Sequence, residues 1–303
     1  MAGTGPAEGR SLRARWSLRR ARLLVGTKFM LVAGLVGFVV VAWLVELITG
    51  LHHPVNLGPL IAAAVAGVPA LLWLAFFYLM DRHEPEPKQL VLGVCVLGAL
   101  IAAPLADFVQ YQVVPPVALA NHGTPLSLDR VLYAVLVAGL AQEMCKYAVV
   151  RYTIYMSREF DEPMDGIVYM MACGTGFAVW INYHRLSGQG HHVILSTAAA
   201  QAVVTTLAHA SFAGALGYVM GRTKFSKRAP SLRGLLLLLG LLGAAVLNGQ
   251  FAIVDALITQ SGLSLHPWRG VGYAALCASA VFAVIWLASQ RLLARSPFRE
   301  EGT

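Results

Sequence analysis

Residues 131–152 read VLYAVLVAGLAQEMCKYAVVRY, an apolar stretch that carries Gln142, Glu143 and Lys146 in its second half. A helix that crosses a membrane needs about 20 mostly apolar residues, and this stretch has that length. A charged side chain at membrane depth is costly, so it normally faces a partner, a cavity or an ion rather than lipid. The stretch therefore predicts a transmembrane helix with polar contacts inside the bilayer.

The rest of the chain has the same character. Of its 303 residues, 57% are hydrophobic and only 13% are charged, which is typical of a polytopic membrane protein and excludes a soluble domain. We predict an all-α membrane helix bundle of about eight transmembrane helices, at about 29–49, 57–80, 89–110, 131–152, 165–184, 193–221, 233–258 and 270–292. The predicted organisation is a basic tail at 1–28, a transmembrane domain at 29–292 and a short tail at 293–303.

The positive charges predict the orientation of the bundle. If the basic tail at 1–28 is cytoplasmic, nearly all of the 23 Lys and Arg residues fall in cytoplasmic segments. The exceptions are Arg130, Arg185, Arg269 and, within a span, Lys146. This asymmetry favours cytoplasmic positions for both termini. Beside eight spans, the basic tail indicates contact with the lipid bilayer, and we expect no nucleic-acid partner.

Two loops on the predicted cytoplasmic side contain acidic residues. The segment DRHEPEPK at 81–88 alternates prolines with charged residues, which predicts a stiff, solvated turn that cannot continue a helix. Asp165 stands at the start of the fifth predicted span. There it is better suited to cap the helix N-terminus than to act in catalysis.

Polar residues of three predicted spans lie at comparable depths. Helix rise places Glu143 about 12 Å, His209 about 18 Å and Asn248 about 22 Å from the inner ends of their spans. Glu143 and Lys146 share a helix face, as an orienting ion pair or as a ligand and its support. His209 is either an interhelical hydrogen-bonding residue or a zinc ligand. A shared polar cavity is therefore feasible.

Small residues recur within two of the spans. Gly174 and Gly176 lie in the fifth span, and Ala213, Gly217 and Gly221 follow at four-residue spacing in the sixth. Such positions let helices approach closely in lipid, so they are a packing signal that indicates no specific function.

Five segments together carry a family resemblance. They are DRHEPEPKQL at 81–90, AQEMCKYAVV at 141–150, EFDEPMDGIVYMMACGTGFAVWIN at 159–182, HASFAGALGYVMG at 209–221 and LNGQF at 247–251. In these segments the chain resembles the PrsW family of bacterial intramembrane metalloproteases, which is distantly related to the CAAX-processing and bacteriocin-processing membrane proteases. The resemblance covers most of residues 60–258.

The resemblance implies a fold, an activity and a partner. It implies a multi-pass protein of a bacterial plasma membrane that cuts a membrane-anchored regulatory protein, such as an anti-sigma factor. Glu143 and Lys146 would be catalytic, with Glu143 positioning or activating water and Lys146 holding the carboxylate. His209, with Glu143, would bind a zinc ion.

Three positions depart from the family pattern. Gln142 replaces the first of two glutamates, Ile181 stands where a glutamate is expected, and Asn248 stands where a histidine is expected. A catalytic zinc usually takes three protein ligands, so Glu143 and His209 form an incomplete set. The auxiliary candidates that remain are Gln142, Asn248, Asp255 and Asp165.

The departures leave two further functions open. A catalytically inactive pseudoprotease would keep the fold and serve as a membrane binding or scaffold protein. An ion-coupled carrier would use the charged residues within the spans as a proton relay, although no inverted repeat supports it.

Overall fold

The computed structural model describes residues 30–50, 56–78, 86–113, 128–187, 193–261 and 264–293. Within these residues, eight helices are long and apolar enough to cross a membrane, which confirms the predicted all-α bundle. The helices are α1 Met30–Thr49, α2 Pro59–Tyr78, α3 Lys88–Val113, α4 (Leu128–Leu132 continued by Tyr133–Thr153), α5 Pro163–Ser187, α6 Leu195–Lys224, α7 Pro230–Thr259 and α8 Pro267–Leu293. Both predicted tails and the turn at 81–85 lie outside the described residues.

Several helices run past the predicted ends of their spans. Helix α6 ends at Lys224 rather than near 221, and α7 begins at Pro230 rather than near 233. The reason is that a hydrophobic run marks the part of a helix within lipid, whereas backbone hydrogen bonding continues into the polar turns beyond it. Between α7 and α8, Gln260–Ser261 pairs antiparallel with Ser264–Leu265 in a two-residue ladder.

Helices α5 and α6 form the centre of the bundle. In their most apolar 18-residue stretches, 83% and 72% of the residues are buried, against 17% for α1 and for α8. Gly217, one of the small residues of the sixth span, lies at a close helix approach: a Cβ atom on Gly166 of α5 would lie 2.4 Å from its carbonyl oxygen. On the other side of α5, a Cβ atom on Gly176 would lie 1.7 Å from the carbonyl oxygen of Cys95 in α3.

Among the described residues, π-helical turns occur at Gly98–Ala102 in α3 and at Tyr133–Gly139 in α4. Such turns shift the register of the side chains that follow and are common near functional sites. The turn in α4 ends directly before Leu140–Thr153, which carries the polar residues of this helix.

One end of the bundle is held together by polar contacts among loops and helix termini. We call it the Glu86 end, and the opposite end, where α5 stops, the His184 end. Lys224 at the end of α6 donates hydrogen bonds of 2.6 Å to the carbonyls of Tyr155 and Phe160, which fixes the α4–α5 loop. At the His184 end, Glu46 of α1 accepts a hydrogen bond from the backbone N–H of Ser196 in the first turn of α6.

Candidate functional site

Helix α4 carries a buried ion pair between Glu143 and Lys146. The Lys146 Nζ atom is 2.7 Å from Glu143 Oε1, and both side chains have 0% exposure. The three-residue spacing places them on one helix face, as predicted. A fully buried pair carries a large desolvation cost, which its mutual attraction offsets only when the geometry and the surrounding hydrogen bonds are favourable.

Lys146 also contacts two neighbouring helices. Its Nζ atom lies 3.4 Å from Nδ1 of His209 in α6 and 4.5 Å from the ring centroid of Phe177 in α5. An ammonium group has hydrogen-bond donors only, so a hydrogen bond across this contact needs Nδ1 of His209 as the acceptor. The face of Phe177 adds a cation–π attraction. One ammonium therefore links α4, α5 and α6.

Asn248 connects the ion pair to α7. Its Nδ2 atom donates hydrogen bonds of 2.9 Å to Gln142 Oε1 and of 2.9 Å to Glu143 Oε1. These two bonds use both N–H groups of the amide. We call Gln142, Glu143, Lys146, His209 and Asn248 the polar centre.

Glycines bring α4 and α7 close enough for these hydrogen bonds. A Cβ atom on Gly249 would lie 2.5 Å from the Ala134 carbonyl oxygen, and one on Gly139 would lie 2.3 Å from that of Ala245. These glycines flank the polar residues, since Gly249 follows Asn248 directly and Gly139 precedes Gln142 by three residues. The backbones can meet only because neither position carries a side chain.

His209 is positioned in the same way on the other side of the centre. It is 7% exposed, and its ring centroid lies 5.2 Å from that of Phe177. A Cβ atom on Gly174 of α5 would lie 2.5 Å from the His209 carbonyl oxygen. Gly174 thus sets the distance between α5 and α6 at the level of the imidazole.

One oxygen of the centre has no partner. Glu143 Oε2 is buried and accepts no hydrogen bond from the described residues, whereas Oε1 accepts two. A buried carboxylate oxygen without a donor is costly, so an additional polar group is expected to meet it. Glu143 Oε2 is therefore the atom of the centre that a further hydrogen-bond donor would satisfy.

Comparison with known proteins identifies the family. The model of the "PrsW family intramembrane metalloprotease" family matches residues 86–288, which include the whole polar centre. This chain belongs to the PrsW family. It is a multi-pass membrane protein of the type found in bacteria.

Curated PrsW relatives match over more than half of the chain. Protease PrsW of Geobacillus kaustophilus is 37% identical over 167 residues, covering 55% of this chain and 68% of the relative. Protease PrsW of Bacillus subtilis is 29% identical over 195 residues, covering 64% of this chain and 82% of the relative. Protease PrsW of Oceanobacillus iheyensis is 31% identical over 166 residues, covering 54% and 69%. No solved structure shows a significant match to the chain.

The family description implies a metal ion, and the donor set of the centre does not fit one. Among the described residues, no three His, Cys, Asp or Glu side chains lie close enough to hold a metal together. Glu143 and His209 are two standard zinc ligands where a catalytic site takes three. The amides of Gln142 and Asn248 are poor zinc ligands and bond to each other. Ile181 offers no donor and packs against the hydrophobic core.

The structure does not bring the other two auxiliary candidates to the centre. Asp165 Oδ2 accepts hydrogen bonds from the backbone N–H groups of Asp161 and Glu162, at 2.8 and 2.7 Å, so it caps α5 as predicted. Asp255 follows Asn248 by two helical turns, about 10 Å further along α7 toward the His184 end. There it interacts electrostatically with Arg185.

A second buried acidic group lies at the Glu86 end. Glu86 is only 6% exposed, and its Oε2 atom accepts a 2.5 Å hydrogen bond from the hydroxyl of Tyr169. The prediction of a solvated turn at 81–88 is wrong for this residue, because the phenol and the start of α5 enclose its carboxylate.

Sequence reasoning also missed Phe177 and the glycines at 139 and 249. An aromatic residue in an apolar span gives no sign that it lies over a cation. The glycines could have been found by their place beside polar residues, because close backbone approach at such a point brings facing side chains into contact.

Proposed function

We propose that this PrsW-family chain binds a membrane-anchored protein, such as an anti-sigma factor or another regulatory protein, without cutting it. The observation that carries the proposal is the amide bridge of the centre. Asn248 Nδ2 donates hydrogen bonds to Gln142 Oε1 and Glu143 Oε1. The amides at positions 142 and 248, where the family pattern has a glutamate and a histidine, are therefore hydrogen-bonded to each other. Hydrolysis in a metalloprotease needs an activated water and free ligands around it.

Glu143 and the helix contacts around it suit the recognition of a bound polypeptide. Glu143 Oε2 is a buried acceptor without a partner, and a backbone N–H of a bound polypeptide is the donor it would receive. The glycine-mediated contacts of α4 with α7 and of α5 with α6 keep the centre in one geometry. A fixed acceptor inside a membrane bundle favours an extended or unwound segment of a membrane-anchored partner.

The proposal can be tested by measuring zinc content and cleavage activity in the same purified protein. The full chain and a His209→Ala variant are purified in nanodiscs, and zinc per chain is measured by mass spectrometry. Each is then incubated with single-span bacterial membrane proteins that carry different tags on the two sides of the span. We expect far less than one zinc per chain in both proteins, tags that stay on one polypeptide, and an intact partner that co-purifies with the wild type.

The outcome that contradicts the proposal is equally specific. Zinc near one per chain in the wild type, lost in His209→Ala, together with separated tags only in the wild type, would establish a protease. A Tyr152→Ala variant controls for effects of substitution and purification that do not involve the centre, because Tyr152 is exposed and lies outside it.

A second candidate is an active membrane metalloendopeptidase, and one observation favours it. Glu143 Oε2 is free to accept a hydrogen bond from water, as a general base must. In this function Glu143 would position or activate water, Lys146 would hold the carboxylate, and His209 with Glu143 would hold zinc. Zinc would then supply Lewis-acid chemistry.

We also infer that the Glu86 end faces the cytoplasm and that both termini lie there. Described basic residues concentrate at this end, among them Arg151, Arg222, Lys224, Lys227 and Arg233. At the His184 end they are few, namely Arg130, Arg185 and Arg269. This asymmetry agrees with the positive-inside rule, and fusions of a compartment-sensitive reporter to each terminus test it.

A further inference from the structure

The pairing of helices α4 and α7 places two arginines at the same level of the Glu86 end. The glycine contacts at 139 and 249 show that these helices run antiparallel, and Gly139 lies against the carbonyl oxygen of Ala245. Arg151 follows Gly139 by twelve residues, and Arg233 precedes Ala245 by twelve residues. Since a helix rises about 1.5 Å per residue, both arginines lie about 18 Å from that contact, on neighbouring helices.

Both arginines belong to helix turns that end at the same membrane surface. Arg151 lies in the last turn of α4, which ends at Thr153, and Arg233 lies in the first turn of α7, which begins at Pro230. Both guanidinium groups act electrostatically on the hydroxyl of Tyr155, just beyond α4, so the two side chains extend toward the same point. Basic pockets between transmembrane helices at this level are suited to phospholipid headgroups.

The two guanidinium groups have donors left over. Among the described residues, no carboxylate lies within ion-pair distance of either arginine. Arg151 lies 4.3 Å from the ring centroid of Tyr155 and donates to the thioether of Met156, which is a weak acceptor. The Nε–H group of Arg233 is buried and meets no acceptor in the described part of the chain. A buried donor without an acceptor is costly and two nearby cations repel, so an anion between them would offset both costs.

The surroundings of this point add positive charge and an apolar surface. The Lys224 ammonium lies 5.0 Å from the ring centroid of Tyr155, and two backbone carbonyls already occupy it, so it contributes charge to the site. Met144 precedes Arg151 by seven residues, which is two helical turns, and therefore lies on the same face of α4. Because Met144 is 50% exposed, an acyl chain can follow this face while its headgroup reaches the guanidinium groups.

We propose that Arg151 and Arg233 form a binding site for the phosphate group of an anionic phospholipid. Guanidinium groups bind phosphate oxygens through paired, charge-assisted hydrogen bonds, and the ring of Tyr155 holds one of the two in place. A zwitterionic headgroup would bring its own cation into this positive field, so a net negative lipid is favoured. The site is separate from the polar centre, so it does not depend on whether that centre binds or cuts a partner, nor on which leaflet lies at the Glu86 end.

Stabilisation by defined lipids tests the proposal. The full chain is purified in a neutral detergent, delipidated, and heated with dioleoylphosphatidylglycerol, dioleoylphosphatidylcholine or inorganic phosphate at equal concentrations. We expect phosphatidylglycerol to raise the thermal midpoint by roughly 5–10 °C, and the other two to give less than a third of that shift. Equal stabilisation by phosphatidylcholine would overturn the preference for a negative headgroup. Equal stabilisation by inorganic phosphate would overturn the assignment to a lipid.

Two double variants of equal charge locate the effect. Arg151→Gln with Arg233→Gln removes both guanidinium groups of the site and should lose at least half of the shift that phosphatidylglycerol produces. Lys227→Gln with Arg228→Gln removes the same charge from exposed positions of the α6–α7 loop and should keep the full shift. The proposal fails if the two double variants lose the same fraction of the shift, or if neither loses any.

Cross-linking to the unmodified chain keeps the proposal testable if the arginine variants do not fold. The wild type is placed in nanodiscs that contain phosphatidylglycerol with a photoactivatable group next to the phosphate. We expect the cross-linked peptides to include the last turn of α4 and the first turn of α7, and the yield there to fall severalfold at 1 M salt, which screens the charges. Cross-links confined to other helices, or a yield that salt does not change, would reject the site.

Discussion

The polar centre and the Glu86 end both bury carboxylates, yet they neutralise them by different means. At the Glu86 end, Glu86 accepts a hydrogen bond from a phenol, and Asp165 accepts two from backbone N–H groups and shares a side-chain hydrogen bond with Glu86, so these carboxyls meet a phenol, the backbone and each other. In the centre, Glu143 is paired with an ammonium, and its second oxygen meets no hydrogen-bond donor among the described residues. The difference separates hydrogen bonds that fix loops from an ion pair buried between helices.

The same contrast predicts that the two regions differ in how well they tolerate substitution. A neutral donor that loses a carboxylate partner can turn to an amide or to water near the helix ends. An ammonium that loses its only carboxylate inside the bundle has no comparable replacement. Substitutions that remove charge should therefore be far more damaging in the centre.

The largest expected effect comes from Glu143→Gln compared with Glu86→Gln. Glu143→Gln leaves the Lys146 ammonium buried without a counter-charge, and we expect a loss of about 3–5 kcal/mol in the free energy of unfolding. Glu86→Gln keeps an acceptor for the Tyr169 hydroxyl and should cost about 1 kcal/mol. Denaturation of both variants in matched detergent micelles measures the difference, and equal losses would remove the distinction between the two regions.

How much of this could be read from the sequence depends on the kind of signal. The eight spans followed from hydrophobic length, and Asp165 followed from the preference of acidic residues for helix starts. The depths of Glu143, His209 and Asn248 made a shared cavity feasible, but depth carries no information about lateral position. The structure supplies it, because the glycines bring α4 to α7 and α5 to α6.

The parts that sequence reasoning could not reach are lateral contacts between apolar spans. The sequence pattern does not predict that Phe177 lies over Lys146. A buried helix is apolar on every face, so the pattern does not show which neighbour each face meets. The enclosure of Glu86 was missed for a related reason. Its loop is rich in charge and proline, which is typical of solvated turns, and only the position of Tyr169 shows that the carboxylate is covered.

A smaller effect is expected when the packing beside the centre is changed without touching a charge. Gly174→Ala adds a Cβ atom 2.5 Å from the His209 carbonyl oxygen, so α5 and α6 must separate. We expect a loss of about 1–3 kcal/mol in the free energy of unfolding. The separation should also weaken the contact between His209 and Lys146, which raises the exposure of the imidazole to diethylpyrocarbonate.

Gly93→Ala in α3 is the matched control for Gly174→Ala. A Cβ atom there meets nothing within 4 Å, so the only effect is the better helix propensity of alanine. We expect it to leave stability unchanged or to raise it by up to about 1 kcal/mol. If both alanine variants behave alike, Gly174 does not position His209, and the fixed geometry of the centre must come from other contacts.

The smallest effect is expected at the Glu86 end, from Tyr169→Phe. This change removes the hydroxyl that donates to Glu86 Oε2 and keeps the aromatic ring, which packs against Phe160 with centroids 6.3 Å apart. A single lost hydrogen bond costs about 0.5–1.5 kcal/mol, and the carboxylate can recruit water near the end of the bundle. Thermal unfolding should show a shift of only a few degrees.

Tyr152→Phe is the control for Tyr169→Phe, since Tyr152 is 85% exposed and should give no shift. The ranking of Glu143→Gln above Tyr169→Phe is what tests the contrast between the regions. If Tyr169→Phe proved as damaging as Glu143→Gln, the carboxylates of the Glu86 end would be under the same electrostatic constraint as the centre. The unpartnered oxygen of Glu143 would then no longer set the centre apart as the place where a ligand is received.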